Sequence, residues 1–376
     1  MKKFLFVVNN LDYFISHRLP IGLELIDKGY AVHIIAPEKC TKVLLEKGFF
    51  CHSVEISRKG KNPFVEFYTV ILLYRIFKKI KPDLVHLVTI KPYLYGGIAA
   101  RFAGVPVVVS AVAGLGILFS SSTLRNKLLR GLIYPFYYFA FGHKNQTAIF
   151  QNTNDRDILV EWGVLNSNKA TIIRGSGVDL SFYPFVCEPE TNVPIVSFAA
   201  RLLKDKGVIE FVEASRLLQQ RGVSAVFQLI GDPDIGNSNT VTQKDLDAWQ
   251  NNGLVSCLGY RSDIPQLFSQ SNIVTLPSYY GEGLPKTLIE AAACGRAIVT
   301  TDYPGCRDAI EENQTGLLVP IKNAVALADA IEYLIRNPSV RNNLGAAGRK
   351  LAEKEFNIEG VVKKHIKIYN DLSLNI

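Results

Sequence analysis

Short runs of β-branched and aromatic residues alternate along this chain with longer amphipathic stretches, and the alternation runs through twice. Residues 3–8, 31–36, 84–88, 105–110 and 148–151 read as strands, with helical patterns at 19–28, 42–47 and 64–80 between them. The pattern then restarts. Strands are expected at 193–199, 225–230, 255–258, 273–276, 297–300 and 316–319, separated by helices at 207–221, 264–269, 286–293, 324–337 and 339–356. Alternation of this kind winds a parallel sheet with helices on both faces. The sequence therefore predicts an α/β protein with two doubly wound, Rossmann-like domains. The turn-rich piece 183–194 marks the join, giving an N-terminal domain over 1–185 and a C-terminal domain over 186–356, with a final helix at about 357–376 packing back on the first. Two such domains facing each other place a cleft beyond the C-terminal ends of both sheets, where folds of this class bind ligands.

Composition agrees and narrows the class. With 376 residues, 48% of them hydrophobic, the chain is too long for one ordinary core and long enough for two. Its beginning, Met1-Lys2-Lys3 and then five apolar residues, lacks the longer apolar stretch and cleavage site of a secretory leader and reads as a first buried strand. Residues 102–124 carry no formal charge, but Gly104, Pro106, Gly114 and Gly116 interrupt them, so a strand and glycine loop fit better than a membrane span. Six cysteines at 40, 51, 187, 257, 294 and 306 show no metal or redox spacing, and are expected to be free thiols in a reducing cytoplasm. The net charge of +8 comes without a basic, aromatic-interleaved face or a nucleic-acid motif. It points instead to a nucleotide diphosphate substrate and an anionic membrane surface.

The segment Gly281-Glu282-Gly283-Leu284-Pro285-Lys286-Thr287-Leu288-Ile289-Glu290 carries the chemistry. Two glutamates at this spacing are, by themselves, usually solvated surface charges. Here a predicted strand precedes them, Gly283 lets backbone approach a ligand, and Pro285 suits a helix start. Glu282 then lies in the loop and Glu290 within the helix. The helix N-terminus offers unpaired N–H groups and a positive dipole end to a diphosphate. Upstream, Arg201 and Lys206 leave the loop after the first strand of the second half. Arg grips phosphate oxygens in a fork and Lys adds a mobile charge, a pair suited to a departing nucleoside diphosphate. Asp-x-Asp pairs at 155–157, 232–234 and 245–247 arise easily by chance, and neither a metal nor a cofactor is expected.

These pieces, together with Gly231-Asp232, Gly259-Tyr260 and Gly316-Leu317-Leu318-Val319-Pro320, resemble the retaining glycosyltransferases of family 4, with the GT-B fold, over nearly the whole chain. The resemblance implies that Arg201 and Lys206 hold the diphosphate, that Glu290 receives the ribose hydroxyls and that Glu282 contacts the donor sugar. It places backbone at Gly283, Leu284, Pro285, Lys286 and Thr287 against phosphates and sugar, with Gly259 and Arg261 near the base. It implies a UDP-sugar ahead of a GDP-sugar, and no metal. Arg201, Lys206 and Glu282 would act on the reacting sugar and its leaving group.

The first half resembles bacterial members that extend glycans on undecaprenyl diphosphate, including amino-sugar transferases of capsule, O-antigen and glycoprotein pathways. The segments 16–20, 89–96 and 112–116 carry this likeness, and it implies that His17, Arg18, Lys91 and Gly114 bind the acceptor. Many members have a histidine near the end of the strand here at 105–110. This chain has Ser110-Ala111-Val112-Ala113-Gly114, so no catalytic base is assigned. The basic stretch 124–130, running into the aromatic stretch 131–141, suits a helix at an anionic membrane surface, with Arg125, Lys127 and Arg130 beside Leu132, Ile133, Phe136, Tyr137 and Phe139. The basic piece 58–61 would add to it. The expected location is cytoplasmic, peripheral on the inner face of the membrane. The alternatives are a transferase with a soluble acceptor and a nucleotide-sugar-binding protein without catalysis.

Overall fold

A strand flanked on both sides by parallel neighbours buries both faces, and its sequence must be apolar throughout. The segment Lys3–Val7 (β1) meets that demand: Phe4, Leu5, Phe6 and Val7 are all buried. In the computed structural model, which describes residues 1–56, 62–120 and 123–373, it lies near the centre of a seven-stranded parallel sheet. The others are β2 (Ala31–Ala36), β3 (Phe50–Ser53), β4 (Leu84–Val88), β5 (Val107–Val112), β6 (Gln146–Phe150) and β7 (Ala170–Ile172), in the order β3-β2-β1-β4-β5-β6-β7. A second, six-stranded parallel sheet holds β8 (Ile195–Ala199), β9 (Val226–Ile230), β10 (Ser256–Gly259), β11 (Ile273–Leu276), β12 (Ala297–Thr301) and β13 (Gly316–Val319), in the order β10-β9-β8-β11-β12-β13. Strand order reverses between β1 and β4 and between β8 and β11, the positions at which doubly wound sheets bind ligands. The chain divides into residues 1–176 with 359–376, and 177–358.

Three departures from the expected elements have local causes. The edge strands β3 and β7 were not legible because neither buries a complete face, so neither carries a continuous apolar run. The expected strand at 105–110 begins instead at Val107, since Pro106 has no N–H to give to a central ladder. The helix Gln243–Asn251 is polar apart from Leu246, Ala248 and Trp249, and is set by a capping box in which Thr242 and Asp245 exchange hydrogen bonds.

The cysteine expectation is corrected. Cys40 and Cys51 are joined in a disulfide, with their Cα atoms 6.0 Å apart. The pairing of Ala36 with Ser53 in the β2–β3 ladder brings the loop after β2 against β3, a proximity that no sequence spacing announces. Cys187, Cys257, Cys294 and Cys306 are free thiols. The basic piece 58–61 lies outside the described residues. Among those described, no helix is long and apolar enough to cross a membrane.

The last helix, Ile358–Ser373, buries Val361, Val362, Ile366 and Tyr369, and residues 359–376 belong to the first unit. Its inner face meets a polar cluster. The Tyr369 hydroxyl is hydrogen-bonded to His86 Nδ1 at 2.6 Å, and His365 donates Nδ1–H to the Val361 carbonyl. Arg18, an acceptor candidate from the sequence, joins them. It is the joint between helices Leu11–His17 and Leu19–Asp27, is 2% exposed, and donates to the His17 carbonyl at 3.0 Å. The turn of the chain between the two helices aims its side chain inward.

Burial holds both histidines neutral, with the Arg18 charge adding to the effect: His365 is pushed down to about 3 and His86 well below the ordinary imidazole value. An unfolded chain takes up protons on both as pH falls through about 6.5, whereas the folded one does not. Stability is therefore complete above that pH and declines between about 6.5 and 3. Denaturant unfolding across this window should show the decline, and His365→Gln should flatten it. A His365→Gln profile that superimposes on the parent would contradict the assignment.

Candidate functional site

Beyond the C-terminal ends of β8, β11 and β12, three loops are packed more closely than side chains permit. Gly207, at φ +83°, follows the β8 loop, and a Cβ there would lie 2.2 Å from the Pro277 carbonyl oxygen on the β11 loop. Gly305, at φ +85° in the β12 loop, would place one 2.0 Å from the Gly283 carbonyl oxygen. The left-handed backbone and the absence of a Cβ at both positions let the loops converge.

Their convergence assembles the residues expected from sequence. The Lys206 ammonium meets both carboxylate oxygens of Glu282 at 2.5 Å. Ser278 donates to the same carboxylate at 3.2 Å, and the Tyr280 ring lies 5.3 Å from the ammonium. Both charged side chains are largely buried, at 10% and 19% exposure, so the pair is poorly screened by solvent. The helix Lys286–Ala293 starts at once behind Pro285, and Thr287 ties its first turn to β8 by donating to the Ala199 carbonyl at 2.8 Å. One turn further, Glu290 accepts from the Tyr183 hydroxyl at 2.7 Å, with Lys286 Nζ 3.6 Å away. Burial raises the Glu290 pKa, while Lys286 and Tyr183 oppose the shift by favouring the carboxylate. The contribution of Tyr183 was not legible, because it reaches Glu290 from 107 residues away.

Arg201 is in the same unit but turned differently. It is half-exposed and paired with Asp234 at 2.6 Å. The loop carrying Asp234 begins at Gly231, whose φ of +134° permits close approach: a Cβ would lie 2.0 Å from the Ala200 carbonyl oxygen. Gly259 sits at the end of β10 and accepts from the Gly231 N–H at 2.8 Å, while the neighbouring Tyr260 N–H donates to Asp232. A cavity of about 250 Å³ lies beside this junction, lined by Gly231, Asp232, Gln243, Asp247, Cys257 and Gly259 among others. Arg261 faces solvent and pairs with Asp263 at 2.5 Å. The Asp-x-Asp pairs are accounted for locally: Asp155 and Asp245 belong to helix caps, Asp157 pairs with Arg156 and Asp234 with Arg201. Among the described residues no three His, Cys, Asp or Glu side chains gather as a metal site.

In the first unit, the segments after β4 and β5 hold Lys91 and Gly114, and His17 ends the helix Leu11–His17 that follows β1. Lys91 is paired with Glu66 at 2.5 Å, both largely buried, and lies 5.9 Å over the Tyr95 ring. Gly114 adopts φ +106°. His17 stacks on Tyr13 at 4.0 Å and is hydrogen-bonded to Ser16. Sequence reasoning did not single out Thr89, which directly follows β4 at φ +76°, an outlying conformation for a β-branched residue. Such strain gathers where function maintains it, and no sequence pattern reports a backbone angle.

Residues 183–351 match the family of glycosyl transferases group 1, and residues 3–153 match the glycosyl transferase 4-like family. The chain is 32% identical over 373 residues to the N,N'-diacetylbacillosaminyl-diphospho-undecaprenol alpha-1,3-N-acetylgalactosaminyltransferase of Campylobacter jejuni, covering 96% of each chain. It is 26% identical over 338 residues to a UDP-Gal:alpha-D-GlcNAc-diphosphoundecaprenol alpha-1,3-galactosyltransferase of Escherichia coli, covering 86% of this chain and 83% of the relative. The fold is shared with Anabaena HepE solved in complex with UDP-glucose, with a TM-score of 0.77 and 19% identity over 99% of this chain and 100% of that one. The chain belongs to the family 4-like, group 1 glycosyltransferases: it has the GT-B fold and is a glycosyltransferase.

If the buried cluster receives a nucleotide diphosphate, Lys206→Ala and Glu290→Ala should each weaken UDP binding at least tenfold, the loss of a charge-assisted contact worth about 1.5–3 kcal/mol. Calorimetric titration of the folded variants measures this, and parental affinity in either would remove that residue from the site.

Proposed function

We propose that the enzyme transfers a sugar, an N-acetylhexosamine or related hexose, from a UDP-sugar to a glycan carried on undecaprenyl diphosphate. The observation that carries this reading is the Lys206–Glu282 pair set beside the helix that presents Glu290. Lys206 and Arg201 neutralise the leaving diphosphate, whose charge grows as the sugar departs. Glu282 and Glu290 accept from hydroxyls of the sugar and the ribose. Backbone at Gly283, Leu284, Pro285, Lys286 and Thr287 closes on phosphates and sugar, and the cavity beside Gly259 takes the base, with Arg261 at its rim. The phosphate leaving on one face of the sugar accepts the acceptor hydroxyl's proton on that same face, which retains the anomeric configuration and needs no protein base. Two cations and a helix N-terminus supply the charge stabilisation that a divalent ion supplies elsewhere.

The donor role belongs to the second unit, residues 177–358, and the acceptor role to the first. The acceptor is inferred from the relatives in Campylobacter and Escherichia, whose names give diphospho-undecaprenol-linked substrates. Within the first unit, His17, Arg18, Lys91 and Gly114 are the acceptor candidates, Arg18 being buried.

A lipid-linked acceptor requires approach to a bilayer, and the helix Leu124–Phe141 is suited to it. Leu124, Leu128, Leu132 and Phe136 recur every fourth residue and are 79%, 72%, 70% and 57% exposed, an apolar ridge along one face. Arg125, Lys127 and Arg130 accompany it without any acidic residue in the helix. The expected membrane face is thereby corrected. Tyr137 is buried against Tyr93, and Phe139 stacks on Phe102, because those positions turn toward the neighbouring helical segments Pro92–Gly96 and Gly97–Ala103.

Binding to vesicles containing anionic lipid should weaken, without vanishing, as salt rises, since the cations are screened and the ridge is not. Replacing Arg125, Lys127 and Arg130 with Glu should reduce vesicle binding and transfer to the lipid-linked acceptor, while hydrolysis of the donor persists. A triple variant that binds anionic vesicles as the parent does would contradict this surface.

A further inference from the structure

The two cations of the donor site are held in different ways. Lys206 is enclosed with Glu282, a residue on the same site. Arg201, by contrast, is held by Asp234, which lies on the loop joining β9 to the helix Gln243–Asn251. That loop is fastened down rather than loose. The Lys204 N–H donates to the Asn239 carbonyl at 2.8 Å and the Val241 N–H to the Leu202 carbonyl at 3.0 Å, so the loop runs alongside the Arg201–Lys206 segment. Within it, the Asp234 N–H donates to Thr240 Oγ1 at 2.8 Å, and Asn237 Nδ2 donates to Asp234 Oδ2 at 3.2 Å. The same Oδ2 receives Arg201 Nη1 at 2.6 Å. Asp234 is thus a fixed anion, oriented by its own loop, standing where it occupies the guanidinium.

We infer that Asp234 is a positioning residue that competes with the donor diphosphate for Arg201 and so sets the affinity of the enzyme for its nucleotide. The inference rests on the reading of Arg201 as a phosphate-binding group. Its sign follows from elementary electrostatics. A diphosphate arriving at Arg201 must displace the carboxylate or share the guanidinium with it, and in either case it approaches a fixed negative charge. Release of product UDP is helped by the same competition, because the carboxylate recaptures the guanidinium as the nucleotide leaves. Arg201 is half-exposed, so the pair is a surface one and its breaking is a modest cost. The device therefore tunes affinity without abolishing it.

The test is a double-mutant cycle read by calorimetric titration with UDP, on Asp234→Asn, Arg201→Ala and the double variant. Asp234→Asn should bind UDP roughly two- to fivefold more tightly than the parent, the range expected from removing an exposed ion pair. The gain should vanish in the Arg201→Ala background, and Asp234→Glu should return affinity toward the parental value. A merely structural role would lower thermal stability and weaken binding, the opposite sign. Asp234→Asn that binds UDP equally or more weakly, while parent and variant share a thermal midpoint, overturns the inference and leaves the donor site standing. A parent that binds no UDP, or Arg201→Ala that binds like the parent, overturns instead the phosphate-binding role on which the inference depends.

Discussion

The close approach of backbone to backbone at Gly207 and Gly305 is the constraint on which the donor half depends. At both positions the neighbouring carbonyl oxygen lies where a Cβ would otherwise be, and the chain takes a left-handed turn that other residues resist. Only because these loops touch can Lys206, from the end of β8, reach Glu282, from the end of β11, while the helix Lys286–Ala293 begins at the same point. The parallel sheet supplies the rest. Its order reverses between β8 and β11, the switch point at which doubly wound sheets bind ligands.

Much of this was legible in the sequence because it is local. The helix Lys286–Ala293 and the strands β11 and β13 fall where periodicity and turn residues place them. The motif Gly281–Glu290 carries its own loop, helix start and carboxylates, so its geometry follows from spacing. What escaped was long-range or conformational. Tyr183 reaches Glu290, Asp234 reaches Arg201 and Glu66 reaches Lys91 through the fold, not through any repeat in the chain. Arg18 follows a histidine in a polar-looking segment and is nevertheless buried, because it is the joint between two helices. The Cys40–Cys51 bond depends on the register of an edge strand too short and too exposed to show a pattern.

The two units bear different kinds of information. In the proposed function the second is built from features that any donor with a diphosphate demands: cations, a helix N-terminus and carboxylates for hydroxyls. It therefore speaks to reaction class more than to a particular substrate. The first strains its backbone at Thr89, neutralises Lys91 with Glu66, and exposes an apolar ridge at Leu124, Leu128, Leu132 and Phe136. A maintained strain and an exposed apolar face both carry a cost in the isolated protein. In the proposed function both are explained by the acceptor, whose reacting end is a sugar and whose other end stays in a bilayer.

In the proposed function the enzyme delivers its sugar to a lipid-linked glycan, and mass spectrometry of one reaction tests this. The purified enzyme is given UDP-sugars with an undecaprenyl-diphosphate-linked amino sugar, beside the same amino sugar without its lipid, in excess chelator. The lipid-linked acceptor should gain the mass of a single hexosamine or hexose, and the free sugar should gain little. Transfer to the free sugar with equal efficiency, or consumption of the donor with no glycosylated lipid, would contradict it.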